Sequence, residues 1–195
     1  LRDRGKLQPG ETLLVHGAAG GVGLAAVDLG RAMGARVIAT ARGADKAAVL
    51  KTYGVEAVID YTDGPFKDQV NALTDGAGAD VIYDPVGGDV FDQSLRCINW
   101  DGRLLVIGFA GGTIPQAPAN LPLLKSCSIV GVSLGGYRQR APTAVRDMHG
   151  ILLSWIAEGR IRPRVAARFT VAETIEALQA MENRETIGRV IVTFD

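Results

Sequence analysis

Thr12-Leu-Leu-Val-His-Gly-Ala-Ala-Gly-Gly-Val-Gly-Leu24 decides how this chain is read. Leu13-Leu14-Val15 is an apolar run long enough for a buried strand. Small residues follow from Gly17 to Gly23, and Leu24 to Met33 then reads as a helix. Strand, tight glycine turn and helix in that order make a seat for phosphate. The turn lets a pyrophosphate come close to the backbone, and the helix start offers unpaired N–H groups and a positive dipole end. The dinucleotide pattern G-x-G-x-x-G reads here Ala18-Ala19-Gly20-Gly21-Val22-Gly23, with alanine in the first place. Gly20 stands where close pyrophosphate approach is needed, and Gly23 where the helix must pack on the strand. Glycine turns occur in every fold. In this chain a second strand, Arg36-Val-Ile-Ala-Thr-Ala41, ends roughly twenty residues further on, where a dinucleotide places its ribose.

The same rhythm continues outward. Leu1 to Gly10 is polar and delivers the chain through a Pro-Gly turn. Gly34 stops the first helix, and Asp45 is placed to cap a helix over 46–53 that Gly54 ends. Further strands read at 57–60, 80–84, 103–107 and 128–133. Helices read from Pro65 to Leu73, over 89–98, briefly over 121–124, and over 141–159. Near-continuous apolar strands alternating with helices predict an α/β fold. It is a three-layer, doubly wound parallel sheet in the order 3-2-1-4-5-6. After Gly159 the pattern changes to an extended piece at 163–169, a helix over 173–181 and a strand over 189–194. Residues 1–160 thus read as one nucleotide-binding domain and 161–195 as a C-terminal return segment.

Composition removes several function classes. The 195 residues carry 21 basic and 21 acidic side chains, so no net charge draws the chain to nucleic acid. There is no secretory leader and no apolar run of about eighteen residues, so no membrane role is expected, and the cytoplasm is the default. Cys97 and Cys127 are too few for a disulfide framework or a Cys-rich zinc site, and read as buried thiols. No H-E-x-x-H, C-x-x-C or Ser/His/Asp pattern is present.

The end of strand two points to the cofactor. NAD sites place a carboxylate there to accept from the ribose hydroxyls. Here Thr40 and Ala41 are followed by Arg42, with Lys46 four residues on. A small residue leaves room for a 2′-phosphate and a guanidinium pairs with it, which favours NADP(H) over NAD. A solvated basic loop is the plainer alternative. Tyr61, just past strand three, is placed to pack beside adenine. His16 ends strand one on the ligand side and reads as a packed, hydrogen-bonded histidine ahead of a general acid. Asp60 and Asp84 read as backbone-bonding carboxylates ahead of a catalytic pair.

Five motifs carry a resemblance: His16-Gly-Ala-Ala-Gly-Gly-Val-Gly23, Val58-Ile-Asp-Tyr61, Asp84-Pro-Val-Gly-Gly88, Gly102-Arg-Leu-Leu-Val-Ile-Gly-Phe109 and Gly188-Arg-Val-Ile-Val192. In this order they resemble the medium-chain dehydrogenase/reductase superfamily. Within it they resemble the zinc-independent NADPH:quinone oxidoreductase branch, the ζ-crystallin-like proteins. The resemblance implies a Rossmann cofactor domain followed by a segment returning to a catalytic domain, which would lie upstream of Leu1. It implies that Ala19, Gly20, Gly21, Val22 and Gly23 form the pyrophosphate turn. Thr40, Arg42, Lys46 and Tyr61 would form the adenosine end. Val86, Gly87, Gly108, Phe109 and Ala110 would border the nicotinamide and its ribose, and Arg189 would reach the phosphates. Phe109 suits a lid or core aromatic equally well, and Arg189 a surface ion pair. The implied reaction is hydride transfer to a quinone or the β-carbon of an enone, with no catalytic side chain or metal assigned. An enoyl-thioester reductase module and a non-catalytic nucleotide-binding or dimerisation module are the alternatives. A homodimer through the apolar edge at 126–134 is also implied.

Overall fold

The computed structural model describes residues 1–194. A short helix α1 (Arg2–Gly5) leads into β1 (Thr12–Val15), and α2 (Gly21–Ala32) follows the glycine turn. Then come β2 (Arg36–Ala41), α3 (Ala44–Thr52), β3 (Ala57–Asp60), α4 (Phe66–Leu73), β4 (Ala79–Asp84), α5 (Asp89–Arg96) and β5 (Ile98–Val106). The first sheet closes with α6 (Asn120–Lys125) and β6 (Ser128–Gly131), and α7 (Leu134–Arg140) and α8 (Pro142–Ala157) follow. The last unit is β7 (Val165–Thr170), a short turn of helix, α9 (Thr174–Glu182) and β8 (Arg189–Thr193).

The six-stranded sheet runs β3-β2-β1-β4-β5-β6, parallel throughout, as the alternating pattern predicts. Successive side chains of a strand point to opposite faces, so a strand buried on both sides must be apolar in both registers. Leu13, Val15, Val37, Ala39, Val81 and Leu105 pack with Leu24 and Val27 of α2 and Leu50 of α3. Leu14, Ile38, Ile82 and Leu104 face the other way, onto Phe66 and Val70 of α4 and Phe91 and Leu95 of α5. Helices therefore cover both faces, and the loops at the strands' C-terminal ends are left to build a site.

Several boundaries differ from the sequence reading, each for a tertiary reason. β5 starts at Ile98 rather than 103, because Ala79 pairs with Ile98 before an irregularity in the ladder. The Asp80 carboxylate accepts from Asn99 Nδ2 at 2.6 Å across that irregularity. The helix before it accordingly ends at Arg96 instead of 98. β6 stops at Gly131, since Ser133 turns to cap α7, its hydroxyl accepting from Gly136 N–H at 3.1 Å. The segment 134–140 is thus a helix of its own, and the long helix starts at Pro142. Asp45 does not cap α3, whose first turn has no side-chain cap. Instead Asp60, at the end of β3, accepts from Gly43 N–H at 2.7 Å.

Residues 165–193 form a separate two-stranded parallel sheet, β7 beside β8, with α9 as the crossover. This unit is tied to the first sheet by polar groups. Just ahead of β7, Arg162 donates its N–H to Asp28 of α2 at 2.5 Å, and its C=O accepts from Tyr53, the residue after α3, at 3.0 Å. Gly188 N–H donates to Ala19 C=O at 2.9 Å, and Gly188 bridges to Gly20. No helix among the described residues is long and apolar enough to cross a membrane.

Candidate functional site: a cleft over the glycine turn

A cleft of about 720 Å³ runs along the C-terminal rim of the large sheet. Its floor is the glycine turn: Gly17, Ala19, Gly20, Gly21 and Val22 all line it. Two glycines of the turn serve different ends. Gly23 lies behind the turn, and a Cβ there would fall 2.2 Å from Gly17 O, so the fold itself requires glycine. Gly20 has an ordinary extended φ of −74°, and a Cβ would meet only Gly17 O, at 3.4 Å. Nothing within the protein demands glycine at 20, which leaves open approach from the cleft as its physical use.

At one end of the cleft Thr40, Ala41, Arg42, Lys46 and Tyr61 come together with Arg184. The β2 terminus carries no carboxylate. Arg42 makes no ion pair among the described residues, and Lys46 Nζ donates to Arg184 C=O at 2.8 Å. Asp60 points into its own loop, accepting from Gly43 N–H and Thr62 N–H. Those bonds hold its carboxyl below the usual range, the Thr62 amide most of all. Three cationic side chains therefore share this end, and the nearby carboxylate is spent on backbone.

At the other end two loops interlock. Asp84 accepts from Val86 and Gly87 N–H at 2.8 and 3.0 Å; burial raises its pKa and those amides oppose the rise. Ala110 and Gly111 N–H donate to Pro85 and Val86 C=O at 3.0 and 2.9 Å. Val86 and Ala110 reach the cleft. Gly87, Gly108 and Phe109 belong to the same two loops but are not among the cleft-lining residues, and Phe109 is about 41% exposed. A Cβ on Gly87 would lie 2.9 Å from Thr113 O and 3.0 Å from Phe109, so this glycine permits the loops to meet.

The fourth wall comes from the C-terminal unit, where Met181, Arg184, Thr186, Arg189 and Ile191 line the cleft. Arg189 packs its stem over Gly21. The sequence reading picked out Arg189 alone of these. Arg184 sits in a turn at φ +59°, and no local pattern announces that its loop returns to the sheet.

His16 is fully buried at the cleft floor, tilted against Phe66. Its Nδ1 lies 3.1 Å from Thr40 Oγ1 and its Nε2 2.8 Å from Ser94 Oγ. Burial pushes its pKa down to about 3. The ring is therefore neutral when folded, while an unfolded histidine takes up a proton below about pH 6.5. Stability from this group is complete above that value and falls as pH drops toward the folded pKa. The expected loss is about 1.4 kcal/mol per pH unit between about pH 6 and about pH 4. Denaturation midpoints at several pH values measure it, and His16→Phe should flatten that slope by the same amount.

Sheet, turn and cleft together define a Rossmann unit, with the crevice beyond the strands' C-terminal ends as its binding region. A family model described as "Zinc-binding dehydrogenase" matches residues 21–150. The quinone oxidoreductase-like protein 2 homolog of Nematostella vectensis is 42% identical over 194 residues, covering 98% of this chain and 53% of that protein. The Escherichia coli quinone oxidoreductase solved in complex with NADPH superposes with a TM-score of 0.87 at 30% identity. That match covers 96% of this chain and 59% of that one. The CurK enoyl reductase structure gives a TM-score of 0.87 at 27% identity over 100% of this chain and 58% of its own. This chain belongs to the zinc-binding dehydrogenase family, on the quinone oxidoreductase-like branch of the medium-chain dehydrogenase/reductase superfamily. It spans about half the length of the curated relatives it matches.

The family's name invokes zinc. Among the described residues no three His, Cys, Asp or Glu side chains converge. Both thiols are free and buried, Cys97 pushed up to about 12 by burial, and His16 has both ring nitrogens engaged. These residues do not form a zinc site.

Proposed function

We propose that this chain is the NADPH-binding unit of an oxidoreductase that reduces a quinone or an α,β-unsaturated carbonyl. One observation carries the cofactor assignment: Arg42, Lys46 and Arg184 gather at the cleft end where an NAD-specific site would present a carboxylate. A 2′-phosphate there would meet guanidinium and ammonium groups, while the Asp60 carboxylate is bonded to the Gly43 and Thr62 amides. Gly20, Gly21 and Val22 would carry the pyrophosphate against the start of α2, whose twelve residues direct N–H groups at it. Arg189 would lie along the phosphates, Tyr61 beside the adenine, and Val86 and Ala110 beside the nicotinamide. NADPH, when bound, supplies the hydride. The chain's own residues hold and orient it and exclude water from one side. No side chain in the cleft is assigned to protonate the acceptor, and the NADPH complex of the Escherichia coli relative supports the reading.

Residues 161–194 would then join a catalytic domain. The apolar edge of β6, with Ile129 about 37% exposed, would pair with a second copy. An enoyl-thioester reductase is the second reading, favoured by the CurK structure and by a Mycobacterium tuberculosis polyketide synthase subunit 29% identical over 193 residues. Assays of the natural protein with quinones against crotonyl thioesters separate the two.

Calorimetric titration of the 195-residue chain tests the cofactor assignment. NADPH should bind at least about tenfold tighter than NADH, and Arg42→Ala should weaken NADPH by about 10- to 30-fold, as loss of a charge-assisted contact does. NADH affinity should stay within about twofold. Equal affinity for both nucleotides in the wild type would remove the assignment.

A further inference from the structure

The hydrogen-bond chain through His16 fixes the direction of every proton in it. Ser94 Oγ lies 2.7 Å from Val90 O. Two oxygens that close need a proton between them, and only the serine hydroxyl has one. Ser94 is therefore spent as a donor, and it can only accept from His16 Nε2, 2.8 Å away. A neutral imidazole holds one proton, here on Nε2, so Nδ1 is an acceptor. Thr40 Oγ1, 3.1 Å from Nδ1, must supply the proton for that contact. Thr40, buried at the end of β2, borders the cleft with its hydroxyl proton committed to His16. At Thr40 Oγ1, an occupant of that end meets oxygen lone pairs alone.

We propose that Thr40 is an acceptor-only seat for the adenine-ribose 3′-hydroxyl of the bound dinucleotide, and that His16 is the positioning residue that sets its polarity. The proposal rests on the nucleotide reading given above. In NADPH the 2′-oxygen is phosphorylated, so the 3′-hydroxyl is the one donor left on that ribose. A carboxylate at the strand end would accept from it too, but its charge would repel the 2′-phosphate beside Arg42 and Lys46. A threonine hydroxyl with its proton held by His16 accepts without charge. The buried histidine thereby does indirectly what an acidic residue does in NAD sites.

Two measurements test this. In the free chain labelled with ¹⁵N-histidine, His16 should show a bare Nδ1 and a protonated Nε2, without titrating from pH 5 to pH 9. The opposite tautomer overturns the proposal. Titrations then compare NADPH with its analogue lacking the adenine-ribose 3′-hydroxyl. The wild type should lose about tenfold on the analogue, the size of one well-made hydrogen bond. Thr40→Ser should keep that ratio. Thr40→Val should bind NADPH about tenfold more weakly and show no further loss on the analogue. His16→Phe should reduce the ratio to below about threefold, whereas a merely structural role would weaken both ligands alike and leave it unchanged. An unchanged ratio in Thr40→Val overturns the seat while the nucleotide reading stands. Absence of NADPH binding by the wild type overturns the nucleotide reading and the seat together.

Discussion

Gly20→Ala should weaken NADPH binding by at least about 100-fold and leave the fold within about 1 kcal/mol of wild type, whereas Gly23→Ala should cost about 3 kcal/mol or more of stability. The two glycines sit three positions apart in one turn and face different neighbours. At position 20 the backbone is extended and caps α2, so alanine is conformationally acceptable, and its Cβ reaches nothing closer than Gly17 O at 3.4 Å. The methyl group would instead stand in the cleft, where a phosphate has to approach the amides within hydrogen-bonding distance. At position 23 the added carbon would meet Gly17 O at 2.2 Å and Ala18 Cα at 2.8 Å. Both are backbone atoms of the same turn, so relief means moving α2 off β1 and disturbing Leu24 and Val27 in the core. Denaturant unfolding and calorimetric titration of both variants separate the effects. Undiminished NADPH binding by Gly20→Ala would mean that the turn does not carry the pyrophosphate.

A chain ending at Pro163 should unfold cooperatively and yet bind NADPH at least about 100-fold more weakly than the full chain. Neither buried cluster takes a fully buried side chain from beyond that point, so both faces of the large sheet keep their packing. Ile161 and the Asp28–Arg162 bond are also retained. The cleft, in contrast, loses a wall: Arg184, Thr186, Arg189 and Ile191 disappear, and Lys46 loses the carbonyl that holds it. Circular dichroism melts alongside titration give the answer. Wild-type affinity in the shortened chain would show that the terminal unit only borders the site.

How much of this was legible in the sequence varied with the range of the interaction. Leu13, Leu14 and Val15 announce a strand buried on both faces, and they are fully buried, 13 and 15 toward α2 and 14 toward α4 and α5. Local patterns of this kind carried the sheet order, the turn, and the placing of Arg42, Lys46 and Tyr61 on one loop cluster. What failed depended on partners far along the chain. Asp45 looks like a helix cap, but Asp60, arriving from β3, takes the Gly43 amide. The early start of β5 needs Ala79 and Asp80 of a neighbouring strand. Arg184 and Thr186 have no periodicity that marks them, because the crossover through α9, not their own segment, brings them to the cleft.

The bond from Gly188 to Ala19 has a consequence for synthesis of the chain. The glycine turn leaves the ribosome well before Ile191, and the groove above it is unfinished until Ile191 has been translated. A nascent or prematurely stopped polypeptide therefore has no complete receptor for nucleotide, and ligand present in excess stabilises only a binding-competent fold. NADPH would in this way favour chains translated through β8 over those that stop short of it, with β8 acting as the token of a complete cleft.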